Sequence, residues 1–529
     1  MPSVVVVCAA SLNARAGASN STALAESGHV QQGSSSHVSG GSAPHALPGV
    51  PDVELKQAHV VFRYACVFTG TTGRYPVTRV YPRRHGARAP LSTKHGSGDA
   101  DWSVCSGKAN LLAVKVHALD GGPQMQSAAD ARQRAGAFPG GCHLGQLSDL
   151  GVQQAIDLGT TLRARYIPAL LPPSASPRPP LLAVRSSNLQ RTVATASGVL
   201  TGMFPHAVGS SATRPAEIRV AHDDVEWLFP NTDACPRLKN LWAAYSGAWD
   251  TPAGKAAWKA TWAKQLDELG GVLTDPEHRE ALGRAWGIVE LLDHTTSRQA
   301  HGLPALGNMM PSNVDDVRAI AAHLVSHMFT GGHMQAAEPP TSTPAAGVVP
   351  GEGLKLAVGR LLADMTSSME AAASHRSPLR VALYAAHDTT VLPLLLALRS
   401  SESPRSSSSR SGSVESGLTW PPYASWLALE LWAPTRETAH AEPHAIGVDA
   451  AEQGSTNKAP VQPLEHQAVQ QQHYVRAIYN GAVVPLPCAR GQPHGACPLA
   501  EFTSSMRALL PKDFHAECTI PRPKHSASV

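Results

Sequence analysis

The stretch LRVALYAAHDTTVLPLLLAL, residues 379–398, reads as an apolar strand, a tight turn and an apolar helix, with the polar pair His387-Asp388 at the strand's C-terminal end. Strand, turn and helix in direct succession form the unit of α/β folds, whose ligand sites gather beyond the carboxyl ends of the strands. Two other stretches end the same way. Residues 53–63 close in HVVFR, an apolar strand with a polar end. LLAV (181–184) runs into RSSNLQR (185–191), and a helix is expected from Thr192 to Met203. Three strand ends carrying polar side chains predict an α/β sheet with a site along one edge.

The remaining text fills in around that sheet. QLSDLGVQQAIDLGTTLRARYI, from Gln146, has a helix signature. Ser148 can cap it, and Val152, Ala155, Ile156, Gly159, Leu162 and Tyr166 fall on one face, with Arg163 and Arg165 toward solvent. A strand is expected at Glu217–Ala221, a helix at Leu354–Ala373, and strands in ASWLALELW and HYVRAIYNGAVVPL. Residues 236–353 read as a helical cap or insertion between two parts of a core, 51–235 and 354–529. Its Trp242, Trp249, Trp258 and Trp262 are read first as core packing and second as a lipid-facing surface. Residues 400–417 and 436–472 are too polar to bury much apolar surface and read as flexible excursions from the sheet.

Composition excludes several functions. A net charge of +4 over 529 residues offers no concentrated basic face for nucleic acid. No apolar run reaches the roughly 18 to 20 residues that span a bilayer. The eight cysteines form no CxxC pair, which argues against a zinc site, and are too sparse for a disulfide scaffold. Cys488 and Cys497 are close enough to bridge across a loop, with free thiols the preferred reading. His222-Asp223-Asp224 is read as a strand end and turn rather than a metal cluster. Residues 1–50 read as disordered, with a targeting role open, and an organellar (mitochondrion or plastid) or cytoplasmic location is favoured over secretion.

The candidate chemistry lies in Arg84-His85-Gly86-Ala87-Arg88, Arg185 to Thr192, and His387-Asp388. Guanidinium groups are always charged, and their planar forks match phosphate oxygens. A neutral imidazole can attack phosphorus, and a nearby carboxylic acid can protonate the departing alkoxide. Fixed cations can meet the charge that develops on the transferring oxygens, so the expected site needs no metal and no cofactor.

RHGARAP (84–90), followed far downstream by His-Asp, resembles the signature of the histidine acid phosphatases, in branch 2 of the histidine phosphatase superfamily. The resemblance implies a central mixed sheet flanked by helices, with an inserted, mostly helical cap. It implies that His85 is the nucleophile and Asp388 the proton donor. It implies that Arg84, Arg88, Arg191 and His387 hold the phosphate, with Arg185 in support. LFPNTDACPRL, WPPYASWLALELW and CPLAEFTSSMRALLPKDFHAEC are similar to the lysophosphatidic acid phosphatases of this family. They imply a lysophospholipid as the phosphomonoester substrate, with a general acid phosphatase or phytase-like activity as the alternative. Oligomeric state stays open.

One stretch departs from the pattern. Tyr64–Arg84 places 21 residues, four of them basic and none acidic, between HVVFR and HGARAP. Joining those two pieces gives an uninterrupted strand and site, so Arg63 and Arg84 compete for one role. Arg84, covalently next to His85, is the one chosen. Pro82 is a poor partner within a central strand. The segment reads as an insertion, and if it disrupts the site the chain becomes an inactive phosphatase-fold binding protein.

Overall fold

Strand β1 (Val53–Phe62) is apolar along its second half because both of its faces are covered: Val60 and Phe62 enter one hydrophobic core and Val61 the other. In the computed structural model the described residues are 53–62, 66–68, 81–83, 87–95, 99–172, 177–209, 214–330, 351–399, 419–434, 473–489 and 495–520. The stretches at 1–50, 400–417 and 436–472 lie outside them, as do Arg63, Arg84, His85 and Gly86.

Among the described residues two short strands, β2 (Cys66–Phe68) and β3 (Tyr81–Arg83), pair with each other, antiparallel, and with no other strand. The other strands are β4 (Val114–Ala118), β5 (Leu182–Ser186), β6 (Ala216–Val220), β7 (Val381–Ala385), β8 (Trp426–Pro434), β9 (Tyr474–Tyr479), β10 (Ala482–Val484) and β11 (Ala496–Pro498). With β1 they form a nine-stranded mixed sheet in the order β10-β9-β8-β1-β7-β5-β6-β4, with β11 also on β9. From β1 to β4 all neighbours are parallel, whereas β8 joins β1 antiparallel. This is the α/β class with a mixed sheet that the sequence predicts.

Helix α1 (Ala128–Arg134) precedes two long helices, α2 (Asp149–Leu170) and α3 (Gln190–Met203), which cover one face. Ser148 caps α2 by accepting from Gly151 N at 3.2 Å. The predicted face of α2 is buried, except that Ile156 is half-buried. The two helices cross so closely that a Cβ on Gly202 would lie 2.0 Å from the Ile156 carbonyl oxygen. Only glycine fits there.

The chain from 236 to 330 forms α4 (Pro236–Asp250), α5 (Pro252–Val272), α6 (Pro276–Ala281), α7 (Ala285–His301) and α8 (Pro311–Thr330). Helices α9 (Glu352–Ala373) and α10 (Asp388–Arg399) share the second core with them and with the sheet. Trp249, Trp258 and Trp262 are buried in that core, and the first two rings lie 4.6 Å apart edge to face. Among the described residues no helix is long and apolar enough to cross a membrane.

Two expectations fail. Arg163 and Arg165 do not face solvent. Arg163 donates to the Met203 carbonyl at 2.8 Å, and Arg165 donates from Nε and Nη2 to Glu430 Oε1 at 2.8 and 2.6 Å. Glu430 lies inside β8 with no exposed surface, and its Oε2 accepts from Arg476 Nε and Nη2 at 3.1 and 2.9 Å. A carboxylate in a sheet interior must be paired, because burying an isolated charge is costly.

The cysteines are not predominantly free thiols. Cys105–Cys142, Cys235–Cys518 and Cys488–Cys497 are disulfides. The scattered spacing concealed them, since the first two pairs are 37 and 283 residues apart in sequence.

Candidate active site

Three parallel strands end level with one another. Ala385, the last residue of β7, is in register with Phe62 at the end of β1 and with Ser186 at the end of β5. Just past those ends the backbone is stitched across: Ala386 N donates to Phe62 O and Ser187 N to Ala385 O, each at 3.2 Å. The side chains that follow, Ser187 to Arg191 and His387-Asp388, therefore emerge along one edge, where open α/β sheets hold their ligands.

His387 is tied to that edge by its neighbours. Its Nε2 lies 2.8 Å from Ser187 Oγ, and its backbone N donates to Thr390 Oγ1 at 3.2 Å. Phe229 packs edge-on against the ring, with centroids 5.4 Å apart. Asp388 opens α10. Its Oδ1 accepts from Thr389 N at 2.8 Å and its Oδ2 accepts from Trp420 Nε1 at 2.9 Å. A carboxylate at a helix N-terminus faces unpaired N–H groups and the positive end of the helix dipole.

Arg191 stands in the first turn of α3, largely buried, with Nη1 donating to Gln133 Oε1 at 2.5 Å. A cavity of about 220 Å³ opens beside it, walled by Gln133, Gly145, Gln146 and Leu147. Arg185 lies within β5 and is buried. Its Nη2 donates to Glu226 Oε1 at 2.7 Å, and Trp227 covers its guanidinium at 4.9 Å. Burial pulls Arg185 down and pushes Glu226 up, and their pairing opposes both shifts. Arg185 is thus committed to a buried ion pair that braces the strand end.

The rest of the arginine-rich motif is fixed to the start of α2. Ala87 O accepts from Ser148 N at 2.8 Å and from Ser148 Oγ at 2.6 Å, and Ala87 N donates to Gln154 Oε1 at 2.9 Å. Arg88 forms an antiparallel bridge with Leu147. A Cβ on Gly151 would lie 2.3 Å from Ala87 O, so glycine lets the motif reach the helix. Arg88 is buried, with Nη2 2.6 Å from Asp293 Oδ1 on α7 and Nη1 donating to Ala89 O at 3.0 Å.

Of the predicted site residues, Arg88, Arg185, Arg191, His387 and Asp388 are described, and Arg63, Arg84 and His85 lie outside the described residues. Sequence reasoning missed Asp293, Glu226, Ser187, Gln133 and Trp420. The local signal for Asp293 was weak: it is one of two carboxylates, with Glu290, in the largely apolar helical stretch WGIVELLDH. His222-Asp223-Asp224 lies just beyond the end of β6 at Val220, in a 3-10 turn over Asp223–Val225, and Asp223 Oδ2 accepts from Ala128 N at 2.8 Å.

Residues 83–268 and 350–480 match the model of the histidine phosphatase superfamily (branch 2). The chain is 26% identical over 453 residues to human lysophosphatidic acid phosphatase type 6, covering 82% of this chain and 84% of that protein. It is 30% identical over 292 residues to human testicular acid phosphatase, covering 54% and 59%. Among solved structures it is similar to the apo form of Hafnia alvei phytase, with 13% identity, a TM-score of 0.49, and coverage of 89% of this chain and all of that one.

Proposed function

We propose that this chain, which belongs to branch 2 of the histidine phosphatase superfamily, hydrolyses phosphomonoesters through a phosphohistidine on His85, with lysophosphatidic acid as its substrate. The observation that carries the reading is the level ending of β1, β7 and β5, which delivers His387-Asp388 and Arg191 to one edge of the sheet.

The chemistry runs in two steps. His85 attacks phosphorus as the ester P–O bond breaks, and Asp388 gives its proton to the departing alkoxide. Water then attacks the phosphohistidine, Asp388 takes a proton from it, and the P–N bond breaks to release inorganic phosphate. Arg84, Arg88, Arg191 and His387 stabilise the charge on the equatorial oxygens throughout. The lysophospholipid substrate rests on similarity to lysophosphatidic acid phosphatase type 6. A general acid phosphatase is the second reading, favoured by the similarity to testicular acid phosphatase.

Turnover of an aryl phosphate in the presence of a chelator tests the mechanism. The intact protein is expected to be active, His85→Ala inactive, and the trapped phosphate acid-labile and alkali-stable. Full activity in His85→Ala removes the mechanism. Rates on lysophosphatidic acid, an inositol phosphate and a sugar phosphate separate the substrates, and equal rates on all three remove the lipid assignment.

A further inference from the structure

The cap helix α7 meets the segment after the arginine-rich motif along one continuous face. Glu290 accepts from Lys94 Nζ at 2.8 Å, and His294 Nε2 lies 3.3 Å from Ser92 Oγ. One turn on, Arg298 pairs with Asp99, and His301 Nε2 lies 2.8 Å from Ser148 Oγ, the α2 cap that also holds Ala87 O. Residues 290, 294, 298 and 301 recur at the spacing of one helix face. Beside this row, Asp293 meets Arg88 of the motif.

Asp293 divides its carboxylate between two points of one short segment. Oδ1 lies 2.6 Å from Arg88 Nη2, and Oδ2 accepts from Leu91 N at 2.7 Å. It therefore fixes the Arg88 side chain relative to the backbone three residues further on. Both partners are screened from water, with Arg88 and Asp293 side chains 9% and 14% exposed. That separates the pair from surface ion pairs, whose contribution is small. An arginine has many rotamers, and a guanidinium already held in place loses less entropy when an anion arrives.

We propose that Asp293 is a positioning residue for phosphate, supplied by the cap to orient Arg88, an assignment that rests on the phosphatase reading of the site. The cap would then contribute to binding the phosphoryl group itself as well as to enclosing the rest of the substrate. The charge-assisted bonds to Arg88 set the expected effect.

The test is calorimetric titration of the full chain with inorganic phosphate, alongside aryl phosphate kinetics and thermal melting. Asp293→Ala is expected to weaken phosphate binding by about 10- to 100-fold, the range for losing a charge-assisted hydrogen bond. Asp293→Asn keeps an acceptor for Leu91 N and loses the charge, so its loss is expected to be smaller, and it decides the matter if the alanine variant does not fold. Glu290→Gln, on the same helix face but bonded to Lys94, is expected to leave phosphate affinity unchanged. Unchanged phosphate affinity in the Asp293 variants, with a lowered melting temperature, overturns the proposal and makes Asp293 a strut between cap and core. An equal loss in Glu290→Gln overturns it too. If the unaltered protein binds phosphate but turns over no ester, the phosphatase reading fails, and the comparison of phosphate affinities still decides the role of Asp293.

Discussion

Ser187 Oγ, at the end of β5, lies 2.8 Å from His387 Nε2, at the end of β7. The serine is fully buried, and its hydroxyl also lies 2.9 Å from Thr192 Oγ1 in α3. A ring nitrogen hydrogen-bonded to a buried hydroxyl is held in place, which under the proposed mechanism presents the imidazole to phosphate in one orientation. Ser187→Ala is expected to lower kcat/KM on an aryl phosphate by about tenfold, the equivalent of one hydrogen bond of roughly 1.4 kcal/mol. Steady-state kinetics check this. An unchanged kcat/KM would show that His387 is oriented without Ser187.

Buried histidines give the fold an acid limit. His59, wholly buried in β1, is pulled down to about 3 by burial. Its Nε2 lies 3.0 Å from Gln57 Oε1 and its Nδ1 3.3 Å from Tyr384 OH, contacts that suit a neutral ring. His294 is lowered to about 4, first by burial, with Asp293 opposing and His95, Arg298 and Arg88 adding to the drop. Between those values and about 6.5 the unfolded chain binds protons that the folded chain refuses. Stability is therefore complete above pH 6.5 and falls as the pH drops toward 4, by up to about 1.4 kcal/mol per pH unit for each such histidine. Urea unfolding at pH 7, 6 and 5 measures the slope. A flat profile over that range means that both rings take up protons without unfolding the chain.

Cys235 and Cys518 join the start of α4 to the short helix Phe514–Cys518 across 283 residues of sequence. Closing so long a loop restricts the unfolded chain, and removing such a bond costs roughly 2 to 5 kcal/mol. Cys518→Ala is expected to lower the thermal midpoint by several degrees, and dithiothreitol to do the same to the unaltered protein. Disulfides of this kind form in oxidising compartments. Expression in an oxidising host is expected to give more folded protein than expression in a reducing one. Equal melting curves with and without reductant would remove the stabilising role.

What could be read from the sequence was local. The ends of β1, β5 and β7 were legible because each strand holds a short apolar run that gives way to polar residues, a pattern visible within ten residues. Ser148 announced α2 for the same reason. Arg165, on α2, was misread because its partner Glu430 is 265 residues away, on strand β8. Helical periodicity places a residue on a face but does not say what lies opposite. Asp293 was invisible on the same ground, since its meaning depends on Arg88, and the disulfides because pairing depends on the fold.

The pairing of β2 with β3 bears on the anomalous segment Tyr64–Arg84. Cys66–Phe68 and Tyr81–Arg83 hydrogen-bond to each other and to no strand of the nine-stranded sheet. Pro82 stands opposite Val67 in this two-stranded ribbon, away from the central ladder where its missing N–H would cost a bond. Since no strand of the main sheet depends on the ribbon, a version lacking Tyr64–Arg84, which joins Arg63 directly to His85, is expected to fold. Its melting temperature should stay within a few degrees of the full chain, and its turnover of aryl phosphate should equal or exceed that of the full chain. Parallel melting and rate measurements on the two versions check this, and a mass-spectrometric peptide spanning Arg63 to His85 establishes whether the natural protein carries the segment. Loss of folding in the shortened version would make the ribbon part of the core design. Loss of turnover with folding intact would mean that Arg63 cannot take the place beside His85 that we give to Arg84.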